Sequence, residues 1–222
     1  MTSPHSVRSV HVWDLPVRLF HWLAVALVAF EYATSRLGWI DWHLLGGRSL
    51  LTIVLFRIAW GFVGSESARF TSFVAPPGAA LRHLRRILVR EPDTRLGHNE
   101  AGGWMVVLML TLLLAETVDG VLLNNDVSND GPLTEVLPNW SLNLIASLHV
   151  WLWYALAVAI TLHVAAVAIY GFAKGHRLVP AMVTGRKRVA GSIRAPRMAP
   201  LWLAPVLLAL CAFAAEWFYR VA

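Results

Sequence analysis

The sequence predicts an all-α protein, a polytopic transmembrane four-helix bundle with an additional C-terminal transmembrane helix. Three observations predict it. Of 222 residues, 57% are hydrophobic and only 14% are charged, where a soluble domain carries about 25% charged residues. Five apolar stretches alternate with polar or arginine-rich segments, and each is near the ~20 residues that cross a ~30 Å hydrocarbon core. Those stretches almost entirely lack the polar faces at helical period that a soluble bundle needs.

The spans read as residues 17–36, 43–64, 103–123, 144–172 and 200–219. Residues 1–10 are polar and lack an apolar h-region with a small-residue cleavage site, so the first span is expected to direct insertion. Loop 65–102 carries Arg69, Arg82, Arg85, Arg86, Arg90 and Arg95. Loop 173–199 carries Lys174, Arg177, Arg186, Lys187, Arg188, Arg194 and Arg197, with no acid. Loop 124–143 holds Asp126, Asp130 and Glu135 with no lysine or arginine, and the connection 36–41 is short and nearly neutral. The positive-inside rule therefore places the N-terminus and both arginine-rich loops in the cytoplasm and the C-terminus outside. Trp22, Trp39, Trp42, Trp60, Trp104, Trp202 and Trp217 fall near span ends, where an amphipathic ring prefers to sit.

Residues 78–90 read as a short amphipathic helix, with Leu81, Leu84, Ile87 and Leu88 at helical spacing between arginines. Such a segment suits the inner interface against anionic lipid headgroups. Residues 186–198 read as a flexible basic linker before the fifth span. The high pI, near 10.2, comes from charges clustered beside spans, which is topology rather than nucleic-acid binding. The single cysteine, Cys211, excludes a disulfide framework, and no C-x-x-C-H sequence exists for covalent haem attachment. Neither G-x-x-x-x-G-K-[ST] nor G-x-S-x-G nor a dinucleotide fingerprint occurs, so no nucleotide-dependent step is expected.

Of nine histidines, His21, His43, His149 and His163 fall within or at the lip of spans. An imidazole in lipid must satisfy its nitrogens, which makes these four functional candidates. His5, His11, His83, His98 and His176 lie in loops or tails, where solvation accounts for them. His149 and His163 are 14 residues apart on span four. That is close to four turns, so both rings share one face, roughly 21 Å apart along the axis. Span one runs outward with His21 near its start, and span two runs inward with His43 at its start. Depth thus pairs His43 with His149 outside and His21 with His163 inside, each pair able to ligate one haem iron from both sides. A dinuclear metal site would need clustered ligands, usually with carboxylates, and ligands ~20 Å apart cannot share one cluster.

Gly46 and Gly47, one turn beyond His43, are expected to leave room for a macrocycle. Arg57 lies 14 residues after His43 on nearly the same face, at inner depth. Its alternatives are a bidentate bond to a haem propionate and snorkelling to the interface. Arg48 offers the same propionate contact outside. Glu31, Glu116 and Asp119, toward the outer ends of spans one and three, fit either proton acceptance from a quinol or capping near the surface.

The stretches VWDLPVRLFHW (12–22), LFRIAWGFVGS (55–65) and GHNEAGGWM (97–105), with the His43-to-Arg57 and His149-x13-His163 spans, resemble the prokaryotic cytochrome b561 family. That family includes the cytochrome b subunits of nickel-iron hydrogenases. The resemblance covers roughly residues 10–185. It implies a bacterial inner-membrane four-helix bundle holding two b haems, with His21, His43, His149 and His163 as axial ligands. It also implies electron exchange between quinone and a periplasmic or membrane-bound partner. The fifth span exceeds the four-helix pattern, and Glu100 stands where the pattern has proline.

The expected organisation is a di-haem cytochrome b domain over 10–185, a basic linker over 186–198 and a fifth transmembrane helix over 199–222. The expected function is a di-haem conduit passing electrons between a periplasmic cytochrome c, dehydrogenase or hydrogenase subunit and the quinone pool. Membrane lipid is a partner, an oligomer is compatible, and nucleic acid is not expected. The alternative is a quinone-linked superoxide oxidase acting without a protein partner, which predicts haem reduction by superoxide alone. A transporter whose histidines handle protons or metal would need broken helices or internal pseudo-symmetry, and neither is legible.

Overall fold

The computed structural model describes residues 7–85, 96–127, 138–190 and 194–221. The acidic loop residues Asp130 and Glu135, and residues 86–95 of the amphipathic segment and its flank, lie outside them. The chain begins with strand β1 (Val7–His11) and continues into α1 (Leu15–Leu37) and α2 (Ile40–Val63). A 3₁₀ turn (Glu66–Ala68), α3 (Phe70–Phe73) and α4 (Pro77–Arg85) follow. Then come α5 (Glu100–Val127), α6 (Asn139–Phe172), α7 (Leu178–Thr184), strand β2 (Arg186–Ala190) and α8 (Leu203–Val221).

Five helices, α1, α2, α5, α6 and α8, are long and apolar enough to cross a membrane, as the sequence predicts. Each starts or stops for a local reason. Asp14 caps α1 by accepting from Val17 N at 2.9 Å, with Pro16 in the first turn. Gly38 ends α1 at φ 70°, a left-handed conformation that glycine adopts without a Cβ clash, and Trp39 turns the chain into α2. Pro138 precedes α6, where a missing N–H costs nothing.

α1 packs on α2, α2 on α5, α5 on α6, and α8 joins from the side against α2. In its most apolar window α2 is 44% buried, against 11–28% for the other four, so α2 is the central span and the rest face lipid. Leu50 and Val54 of α2, Leu113 of α5 and Leu156 of α6 form one buried cluster at mid-depth. α8 is held by Leu51, Val121 and Ala215.

One end of the bundle is closed by a two-stranded antiparallel sheet in which Val7 pairs with Ala190 and His11 with Arg186. Residues 186–190 are therefore a strand and not a flexible linker. Two physical reasons account for it. Pairing satisfies backbone groups that either segment alone would leave open, and Val10, Val12 and Val189 are sealed into a cluster with Trp13, Phe56, Trp60 and Cys211. Gly185, at φ 77°, makes the turn, and its carbonyl accepts from Val12 N and Trp13 N. Residues 197 and 199 are also fastened, since Arg197 N donates to Glu66 Oε2 and Ala199 N to Ser65 Oγ, both at 2.9 Å. In the described part of the amphipathic segment, Leu81 and Leu84 remain about half exposed, at 52% and 49%, as a helix lying on a membrane surface requires.

Candidate functional site

The bundle carries two levels of facing imidazoles, one toward the sheet-bearing end and one toward the far end. His21 of α1 faces His163 of α6 with ring centroids 6.5 Å apart and planes at 56°. His43 of α2 faces His149 of α6 at 6.4 Å and 88°. These are the two pairings the depth argument expects, and α6 contributes one ring to each because residues 149 and 163 share its inward face. Between the two levels α6 packs on α2 through Leu156 and on α1 through the Tyr32–Trp153 stack, 5.4 Å between centroids. One metal ion held between two facing imidazoles, each nitrogen about 2.0 Å from it, would need ring centroids about 6.3 Å apart. Both pairs match that spacing. Among the described residues no group of three or more His, Cys, Asp and Glu side chains could hold a metal ion.

At the far end, His43 Nδ1 lies 3.0 Å from Glu31 Oε2, 3.2 Å from the Glu31 carbonyl and 3.4 Å from Thr34 Oγ1. His149 sits between two carboxylates, with Nε2 3.5 Å from Glu116 Oε1 and Nδ1 3.4 Å from Asp119 Oδ2. Gly120 lets that ring close in, since a Cβ there would stand 3.1 Å from His149 Cε1. The space above Gly46 is not kept for a macrocycle. A Cβ on Gly46 would run into Glu31 Oε1, so this glycine makes room for a carboxylate. Arg48 turns to the fifth helix, 3.9 Å from Glu216 Oε2 and with its guanidinium 4.2 Å above the Tyr219 ring.

At the sheet-bearing level Arg57 is 3% exposed, its guanidinium 5.6 Å from the Phe70 ring centre. It does not snorkel to water, and Nη1 is buried with no hydrogen-bond partner. His98, which sequence reasoning assigns to a solvated loop, is wedged between Trp13 at 4.7 Å and Phe73 at 4.8 Å. Its Nδ1 is sealed from solvent without a partner. Burial, and then the positive field of Arg57, His163 and His21, pushes the His98 pKa down to about 3, so the ring is neutral at physiological pH. The signal for His98 was its place in GHNEAGGWM. The signal for Glu31 was hairpin symmetry, because residues 31 and 43 lie six positions either side of residue 37 at the α1–α2 turn.

Five apolar helices around facing imidazole pairs are the architecture of a membrane b-type cytochrome. The family model for prokaryotic cytochrome b561 matches residues 12–185, and the chain belongs to that family. Two relatives carry the name "Probable Ni/Fe-hydrogenase B-type cytochrome subunit". The protein from Rhizobium leguminosarum bv. viciae is 29% identical over 135 residues, covering 48% of this chain and 56% of the relative. The protein from Bradyrhizobium diazoefficiens is 23% identical over 214 residues, covering 81% and 86%. The chain thus spans about half the length of the first relative and most of the second. No solved structure gives a significant match.

Proposed function

We propose that this chain holds two b haems, one between His21 and His163 and one between His43 and His149, and carries electrons between a redox partner and quinone. The observation that carries the reading is the pair of imidazole couples at centroid separations of 6.5 and 6.4 Å, a spacing at which both rings of a couple could ligate one metal ion. When bound, each haem iron supplies a one-electron ferric–ferrous couple whose potential follows ligand, burial and nearby charge.

The protein's own groups do the rest. The mid-depth cluster of Leu50, Val54, Leu113 and Leu156 keeps the two levels apart and dry. Arg57 Nη1 and His98 Nδ1, both buried and unpartnered, supply donors for a carboxylate, and a propionate of the sheet-level haem has that chemistry. Arg48, engaged by Glu216 and Tyr219, serves the fifth helix in this reading rather than a propionate.

The membrane is the bacterial inner membrane, with the sheet-bearing end cytoplasmic and the C-terminus periplasmic. The partner is a hydrogenase or other dehydrogenase subunit, or a periplasmic cytochrome c, and the relatives' names favour hydrogenase. The division into a cytochrome domain over 10–185 and a fifth helix over 199–222 belongs to the same proposal. The test is a reduced-minus-oxidised spectrum with haem stoichiometry on the wild type and the four single His→Ala variants. The expected result is two haems per chain, and loss of the same haem from either member of a pair. Wild-type protein without haem defeats the reading.

A further inference from the structure

The two levels differ in what holds the second nitrogen of the ligand on the N-terminal helix pair. His21 Nδ1 is sealed from solvent and has no hydrogen-bond partner among the described residues. His43 Nδ1 has three acceptors within reach, and the nearest is the Glu31 carboxylate at 3.0 Å. An imidazole N–H has one proton to give, and a charged acceptor takes it most strongly. The arrangement is built rather than incidental. The Glu31 side chain is only 13% exposed, Gly46 vacates the volume its Oε1 occupies, and Thr34 Oγ1, bonded to the Phe30 carbonyl at 2.9 Å, backs the ring. With Nδ1 engaged, Nε2 is the nitrogen left to ligate, on a ring whose centroid is 6.4 Å from that of His149.

We propose that Glu31 is a positioning residue for His43, orienting its ring and enriching it in electrons so that the far-end iron sits at a lower potential than the sheet-end iron. This rests on the di-haem reading above. A hydrogen bond from the remote N–H to a carboxylate raises the basicity of the ligating nitrogen. A more basic ligand stabilises the ferric over the ferrous state. Glu116 and Asp119, facing His149 at 3.5 and 3.4 Å, place further carboxyl groups on the same level, whereas the sheet level carries the buried Arg57 guanidinium. With haem bound at both levels, that order of potentials would favour transfer of one electron from a far-end ferrous iron to a sheet-end ferric iron, the first being oxidised as the second is reduced.

The test is a spectroelectrochemical titration of the purified full-length chain, resolving the α-band into two components alongside haem content. His149→Ala, which removes the far-end haem, identifies that component. In wild type the far-end component has the lower midpoint. Glu31→Gln keeps an acceptor and removes the charge. It is expected to raise that midpoint alone, changing the ferrous-to-ferric ratio at fixed potential by about tenfold, or about 59 mV for one electron. Gly46→Ala, which displaces the carboxylate, shifts it the same way, and Glu31→Asp restores part of the difference. Unmoved midpoints in Glu31→Gln with both haems bound overturn the proposal, as does a far-end component that is the higher of the two in wild type. If Glu31→Gln loses haem, Gly46→Ala and Glu31→Asp decide, and an unmoved far-end midpoint in both overturns it. Wild type with fewer than two haems defeats the underlying di-haem reading instead.

Discussion

Asp14 shows how much one buried carboxylate can organise. Its Oδ1 caps α1 through Val17 N and its Oδ2 accepts from Trp60 Nε1, both at 2.9 Å, tying the start of α1 to the end of α2. Losing the cap costs about 1 kcal/mol, and stranding the Trp60 donor, 1% exposed, costs about 1–3 kcal/mol more. Asp14→Ala is therefore expected to lose about 2–4 kcal/mol, read as a lowered thermal midpoint in detergent, while Asp14→Asn keeps an acceptor for the cap and loses less. His98 gives a pH prediction at the same scale. Its folded pKa, about 3, lies below the ordinary value near 6.5, so the unfolded chain binds the extra proton first and stability falls as pH drops from about 6.5 toward 3. His98→Phe should flatten that part of the thermal-midpoint profile, and an unchanged slope would remove His98 as its source. None of this burial was legible in the sequence, because a loop histidine gives no sign of the Trp13 and Phe73 rings that enclose it. The histidine pairs were legible, since helical period and alternating span direction are enough to set depth.

Among the elements, the two strands and the fifth helix separate what local pattern reveals from what it hides. α8 was visible as one more apolar span. β1 and β2 were not, because five-residue segments at residues 7–11 and 186–190 show their period only after distant segments meet. Their pairing makes the start of the chain and the approach to α8 one structure, and it gives the 194–199 stretch a fixed route along Ser65 and Glu66. The backbone N–H of Arg197, then Arg194, Arg197 and Arg69, hold the Glu66 carboxyl below its usual range. A depressed folded pKa contributes stability above the unfolded value and loses it as pH falls through the folded one. Amide hydrogen exchange at Arg197, corrected for the intrinsic pH dependence, should therefore accelerate below the ordinary carboxylate range, and Glu66→Gln should abolish that acceleration. α8 itself reaches the bundle through Leu51 of α2 and Val121 of α5, and through Cys211 in the cluster at the sheet-bearing end. Truncation after residue 199 is expected to keep two haems per chain while lowering the thermal midpoint. Haem loss on truncation would instead tie the fifth helix to the cofactor.

For the molecule as a whole, parity and charge together support the proposed orientation. Five spans would put the start of α1 and the end of α8 on opposite faces of the bilayer. The connections at the sheet-bearing end, 64–99 and 173–202, carry Arg69, Arg82, Arg85, Arg177, Arg188 and Arg197, among others, while the far-end connection 38–39 carries no charge and Arg220 near the C-terminus is paired to Glu216 at 2.9 Å. Lys and Arg resist translocation when they lie within about 15–20 residues of a span, and nearly all of these do. Exposed Leu81 and Leu84 on α4 add a surface that a leaflet rich in anionic lipid would hold, as in the cytoplasmic leaflet. A periplasm-dependent reporter such as alkaline phosphatase, fused after residue 221, should be active, and the same reporter inserted at residue 90 or 192 should be inactive. The reverse pattern would turn the molecule over. It would place the carboxylate-bearing His43–His149 level beside the cytoplasm and reverse the side from which an electron enters.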